Sequence, residues 1–307
     1  MIEKGETQAS TLTILERSRV LALVGVVVVF GAVIGGFAME GGPIPVLIQP
    51  VELLIIGGAS IGGLLIAVPL KVLKILINRV MGTLGSGLDK QAYLEALQVL
   101  YDLFTKAKRE GFTAVDSDLT NPEKSPIFSK YQGFVKNRHA MTFLCDSLRL
   151  VVDGAVDADE LEAIMDTELE THHEEGGQSP SILAKVGDSL PGLGIVAAVL
   201  GIVITMQAID GPPEEIGHKV AVALVGTFLG ILLSYGVVQP LSQNLEHQAQ
   251  CEGKYLACIK TCLVAFARGA PPIVAVEFGR RVIFSYDRPS NQEMESACKG
   301  TPLKVAA

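Results

Sequence analysis

The sequence predicts an all-α membrane protein with four transmembrane helices, a helical cytoplasmic domain between the second and third, and a long cytoplasmic extension after the fourth. Three observations predict it. Four stretches, Val20 to Met39, Gln49 to Leu70, Gly187 to Ile209 and Val220 to Leu241, are apolar over the roughly 20 residues of helix that a hydrocarbon core requires. They form two close pairs separated by a polar stretch, Lys71 to Val186, whose apolar residues recur at helical spacing. That stretch holds 13 of the 25 Lys and Arg residues, whereas Glu40 to Ile48 has none and Asp210 to Lys219 has one, so positive charge marks the inner side.

The whole-chain numbers agree with a membrane solvent. Of 307 residues 49% are hydrophobic, no tryptophan occurs, and the mean hydropathy is +0.41. A formal charge of -8 without a dense basic face excludes a nucleic-acid partner, because counterion release needs clustered Lys and Arg. The five cysteines, Cys145, Cys251, Cys258, Cys262 and Cys298, contain no CxxC pair and read as buried or inert thiols. No GxxxxGK[ST], HExxH or GxGxxG motif is present, so neither an enzyme, a cofactor nor a metal is expected.

In chain order, residues 1–19 form a cytoplasmic N-terminal segment. Glu3, Glu6 and Glu16 dilute its basic character, and the apolar run after it exceeds the roughly 7–15 residues of a signal-peptide core, so it reads as a retained span. Residues 20–70 carry the first two spans, 71–186 the cytoplasmic helical domain, 187–241 the last two spans, and 242–307 the C-terminal helices and tail. Within 71–186, Tyr93, Leu97, Leu100 and Phe104 make a stripe that ends near Gly111, and Asn121-Pro122 marks a turn. A second helix runs from about Arg138 to Asp153 with Gly154 as its stop. A third opens at Asp157 with Glu160 three residues later, a capping-box start, and is expected to end at Gly176-Gly177. Helical spacing resumes through Leu245, Tyr255, Ile259, Cys262 and Phe266 and stops at Gly269 and Pro271-Pro272. The tail beyond Ser290 is polar and is expected to be mobile.

Several residues invite a functional reading and also have a plainer one. Glu52 is the one carboxylate inside an apolar span away from its inner edge, a functional signal in a membrane. With Pro50 as the first helical residue, however, Glu52 falls in the first turn, where an acid complements the helix dipole, and this structural reading takes precedence. Gly31/Gly35, Gly58/Gly62 and Gly226/Gly230 are GxxxG pairs that suit close helix approach, within one subunit or between subunits. Pro191 sits harmlessly in a first helical turn, whereas Pro240 interrupts an expected helix and marks a hinge or a kink. Nine acids between Asp157 and Glu175 read first as a solvated face, and His172-His173 cannot share a helix face for metal binding. Lys106, Lys108 and Arg109 followed by Asp116 and Asp118 place opposite charges around one helix end.

Four segments carry a family resemblance. Gln49-Pro50-Val51-Glu52-Leu53 with Ile55 to Gly62, Asp188-Ser189-Leu190-Pro191-Gly192-Leu193-Gly194 through Val199, Gly226-Thr227-Phe228-Leu229-Gly230 through Gly236, and Ala270-Pro271-Pro272-Ile273 with Ala275 to Arg280 resemble, in order, the MotA family of flagellar stator subunits. The resemblance covers nearly the whole chain from the first span to Ser290. It implies a proton-driven torque generator of the inner membrane, a ring of five subunits around two copies of MotB, which supplies the ion-binding aspartate and the peptidoglycan anchor. It implies ion-coupled movement at Pro191 and Pro240 beside Thr227. It also implies contact with the rotor switch protein FliG through Lys108, Arg109 and Asp116, where the family has an arginine and a glutamate at the first and last. Sodium-driven members carry a threonine seven residues after the proline, where this chain has Ala198. The alternatives are a sodium-driven stator, an energiser of outer-membrane transport resembling ExbB or TolQ, which would have three spans, and a solute permease or simple channel.

Overall fold

The computed structural model describes residues 3–83, 88–207 and 209–300, with side chains for 21–82, 88–207 and 209–300. Thirteen α-helices occur among the described residues: α1 (Glu3–Met39), α2 (Ile44–Leu47), α3 (Pro50–Ala67), α4 (Leu70–Thr83), α5 (Lys90–Glu110), α6 (Thr113–Thr120), α7 (Gln132–Lys136), α8 (Arg138–Val152), α9 (Ala158–Met206), α10 (Pro213–Leu233), α11 (Gln239–Ala267), α12 (Pro272–Val282) and α13 (Asn291–Lys299). Among the described residues four stretches are long and apolar enough to cross a membrane: Leu21–Met39, Ile44–Ala67, and parts of Ala158–Met206 and Pro213–Ala267. Each predicted span overlaps one of these; the second was drawn past Ala67 to Leu70, and the third past Met206 to Ile209 across residue 208, which lies outside the described residues. Two units divide the chain, residues 1–87 with 176–247 and residues 88–175 with 248–307.

The first unit is built on lipid-type packing, with a small buried set of Ile56, Leu190, Ala197, Val225 and Leu229 and many exposed large apolar side chains. Pro69 follows the extended Val68 and separates α3 from α4, which sequence reading overlooked. The GxxxG pairs divide sharply. An added methyl group at Gly230 would strike neighbouring backbone and one at Gly226 the Glu52 carboxyl, whereas Gly31, Gly35, Gly58 and Gly62 face open space within this chain.

The second unit has an ordinary aromatic and aliphatic core. The α5 stripe of Tyr93, Leu97, Leu100 and Phe104 is buried as predicted, with Phe104 stacked on Phe266 of α11 at 4.2 Å. Asp157 caps α9: its Oδ1 accepts from the Asp159 and Glu160 amides while Glu160 Oε2 accepts from the Asp157 amide. Gly154, in the left-handed region, follows α8.

Three expectations are corrected. Gly176-Gly177 does not end a helix, because α9 continues for 49 residues into the third apolar stretch. Neither glycine has positive φ, so the pair only lowers propensity, about 1 kcal/mol each, which tertiary packing offsets. Nor is the segment after Ser290 without structure. Ser290 and Glu293 form a capping box, Met294 is buried, and Glu293 pairs with Lys90 at 2.6 Å. The acidic run on α9 is also not simply solvated, since Lys260 and Arg268 of α11 pair with Asp159, Glu162 and Asp166.

Candidate functional site

Two clusters hold the residues singled out from sequence. The first is the crossing of α9 and α10. A Cβ built on Gly194 would lie 2.7 Å from the Gly226 carbonyl oxygen and 3.2 Å from the Cα atoms of Thr227 and Gly230; one on Gly230 would lie 2.5 Å from the Leu190 carbonyl oxygen. The two backbones therefore touch, one turn after Pro191 and beside Thr227. Ala197 and Ala198 are buried at the same crossing, with the Ala198 amide 3.1 Å from a Cβ built on Gly226. Between Gly192 and Ile204 no side chain carries oxygen, and the Thr205 hydroxyl beyond donates to Gly201 at 2.8 Å. Glu52, only 5% exposed, reaches this crossing from the first turn of α3. Its Oε2 would lie 2.8 Å from a Cβ on Gly226 and makes no hydrogen bond among the described residues. The absent side chains of Gly226 and Gly201 make the space that this carboxyl occupies.

Prolines break the hydrogen-bond ladder around the crossing, and the carbonyls freed by Pro180 and Pro191 have each found a donor. Pro180 lacks the N–H that would serve Gly176, and Arg79 donates to the Gly176 carbonyl at 3.3 Å. Pro191 lies inside α9 and not, as expected, in a first helical turn, because the helix continues from Ala158; it therefore leaves the Gly187 carbonyl open, and the buried Ser234 hydroxyl donates to it at 2.7 Å. Pro240 follows a π-helical segment, residues 234 to 238, in which the Gln239 amide steps back to the Ser234 carbonyl. The break foreseen at Pro240 is thus spread over the turn ahead of it.

The second cluster lies at the junction of α5 and α6. The five charges noted there separate into two groups. Lys106 and Asp118 turn inward: they pair at 2.6 Å, and Asp118, 2% exposed, also accepts from Ser125 at 2.6 Å. Lys108, Arg109 and Asp116 are exposed and form no ion pair among the described residues. Lys108 and Arg109 sit in the last turn of α5 and Asp116 in the first turn of α6, so each also complements a helix dipole. Lys108 and Arg109 border a shallow hollow of about 250 Å³ with Tyr101, Thr105 and Lys299.

Elsewhere the chemistry is quiet. Among the described residues no three His, Cys, Asp or Glu side chains gather where they could hold a metal ion; His172 instead stacks on His139 at 4.7 Å. No disulfide joins the five cysteines, and burial pushes Cys145 and Cys298 up to about 12.

Comparison with known proteins decides the family. The chain is 41% identical over 282 residues to motility protein A of Salmonella typhimurium, covering 90% of this chain and 94% of that one, and equally similar to motility protein A of Escherichia coli. The chain belongs to the MotA family of flagellar stator subunits. Residues 23–111 match the pattern described as motility protein A N-terminal, and residues 135–256 match the MotA/TolQ/ExbB proton channel family. The MotA fold is also that of the C. jejuni MotAB structure, at TM-score 0.74 and 21% identity over 88% of this chain and 98% of that one. The Bacillus subtilis flagellar MotAB stator complex matches at TM-score 0.69 and 24% identity, over 83% and 92%. For a MotA-family chain, sequence reasoning missed Ser234, Gly187, Gln239 and Asp188. The signal available was the proline rule, which points to Gly187 four residues before Pro191 but not to the donor 47 residues away.

Proposed function

We propose that this chain forms a ring of five subunits around a MotB-like partner in the inner membrane, with both termini in the cytoplasm, and turns proton flow into torque. In this reading the partner supplies the ion-binding carboxylate, which passes Pro191, Ala198, Thr227 and Pro240, and the resulting movement at the two prolines is delivered to FliG through Lys108, Arg109 and Asp116. The observation that carries the rotor contact is the separation of charges at the α5–α6 junction: Lys106 and Asp118 satisfy each other inside, and Lys108, Arg109 and Asp116 are left outward and unpaired. Isolated exposed charges contribute little to folding, so their value lies with a partner. The proton is favoured over sodium by the lack of oxygen ligands on α9, which leaves the Thr227 hydroxyl and the partner's acid as a thin shell for a hard cation.

Charge reversal tests the contact. Lys108→Glu and Asp116→Lys should each impair swimming while membrane amounts of the chain and its assembly with the partner stay at wild-type levels. Reversals of opposite sign on the rotor should restore part of the motility. Strong single defects that no rotor reversal relieves would refute an electrostatic contact.

A further inference from the structure

We propose that Ser234 is a positioning residue that ties the breaks at Pro191 and Pro240 into one hinge. The proposal rests on the reading above for its role in torque, but the tie itself stands on local geometry. A helical hydroxyl in this chain ordinarily bonds back one turn, as Ser60 does to Ile56, Thr205 to Gly201 and Thr261 to Ala257, each at 2.8 Å. Ser234 forgoes that bond. Fully buried, it reaches across to α9 and gives its proton to Gly187, the carbonyl that Pro191 leaves without a donor. An unmet carbonyl at that depth has no water to turn to, so the hydroxyl completes the broken helix.

The same residue opens the π-helical segment ahead of Pro240, where its own carbonyl accepts from the Gln239 amide. Gln239 makes a second tie, its Nε2 donating to Asp188 Oδ1 at 2.5 Å. Gly187 permits this closeness, since a Cβ there would lie 3.1 Å from Gln239 Nε2 and 3.2 Å from its Cδ and Cγ. One turn further on, Leu190 and Gly194 press on Gly230 without slack. Any rotation of α9 at Pro191 must therefore carry Ser234 and Gln239 with it or break both bonds.

The test uses the full chain purified with its partner, followed by hydrogen exchange of residues 183–190 and 234–241. Ser234→Ala should speed exchange in both segments together, on the order of tenfold, and Ser234→Thr should restore the slow rates. With Pro191→Ala, position 191 again has an N–H for Gly187, so adding Ser234→Ala should no longer change residues 183–190. In single motors driven by this chain, Ser234→Ala should lower the torque per stator at unchanged stator number, with Ser234→Thr again restoring it. Unchanged exchange, acceleration in one segment only, or a full effect in the Pro191→Ala chain would overturn the tie. Expected exchange with wild-type torque would overturn its role in torque. A wild-type chain that drives no motor would instead count against the proposed function, while the exchange arm still judges the tie.

Discussion

Replacing Gly230 with alanine puts a methyl carbon 2.5 Å from the Leu190 carbonyl oxygen, 3.0 Å from the Gly194 Cα and 3.2 Å from the Gly194 amide nitrogen. All three are backbone atoms, so no side-chain rotamer change relieves the contact. Restoring ordinary carbon contacts of about 3.5 Å requires α9 and α10 to part by roughly 1 Å. Overpacking of this kind costs about 1–3 kcal/mol. At about 2–4 °C per kcal/mol for a unit of this size, the melting midpoint of the purified chain should fall by roughly 2–12 °C. Gly253→Ala is the control, because nothing lies within 4 Å of its added carbon in mid-α11 and alanine is the better helix former by about 1 kcal/mol. Its midpoint should stay level or rise. A Gly230→Ala chain that melts with or above the wild type would show that the two backbones do not touch, and the geometry assigned to Pro191 and Thr227 would go with it.

Two further outcomes concern the ion pairs of the second unit and the spans. Arg280 and Arg281 hold the Glu277 carboxyl at about 2, below its value of about 4.3 in an unfolded chain, so its stabilising contribution is complete above about pH 4.5 and lost as pH falls towards 2. Wild type should lose midpoint between pH 5 and 3 by more than Glu277→Gln does, and equal losses would contradict the assignment. For topology, impermeant thiol reagents added outside should label cysteines placed at Glu40 and Glu214 and miss those at Ser117 and Gln292; labelling of Ser117 from outside would reverse the orientation.

The spans were legible because an apolar run of sufficient length has few alternatives, and the Asp157–Glu160 cap because both partners lie within one turn. What was not legible depended on partners distant in sequence. Gly176-Gly177 reads as a stop by propensity alone, yet α9 continues through it, with Arg79 meeting the carbonyl that Pro180 frees. The lysines of α4 served to orient the chain and concealed that Leu70–Thr83 is itself a helix with Leu76 buried. The polar residues of α13 gave no sign of a docking partner until Lys90 and Glu293 came together. At the site, Pro191 and Pro240 were read as separate features. Their connection through Ser234 exists only once α9 and α10 cross. Glu52 was placed in the first turn of its helix, where it is found, but its burial against Gly226 and Gly201 belongs to that crossing too.

The central claim, that this chain turns proton flow into torque, is tested most directly by swimming speed with this chain and its own partner as the sole stator, measured with and without sodium and with and without a protonophore. Speed is expected to stay unchanged when sodium is removed and to collapse when the protonophore is added. Swimming that stops without sodium and persists with the protonophore would contradict it.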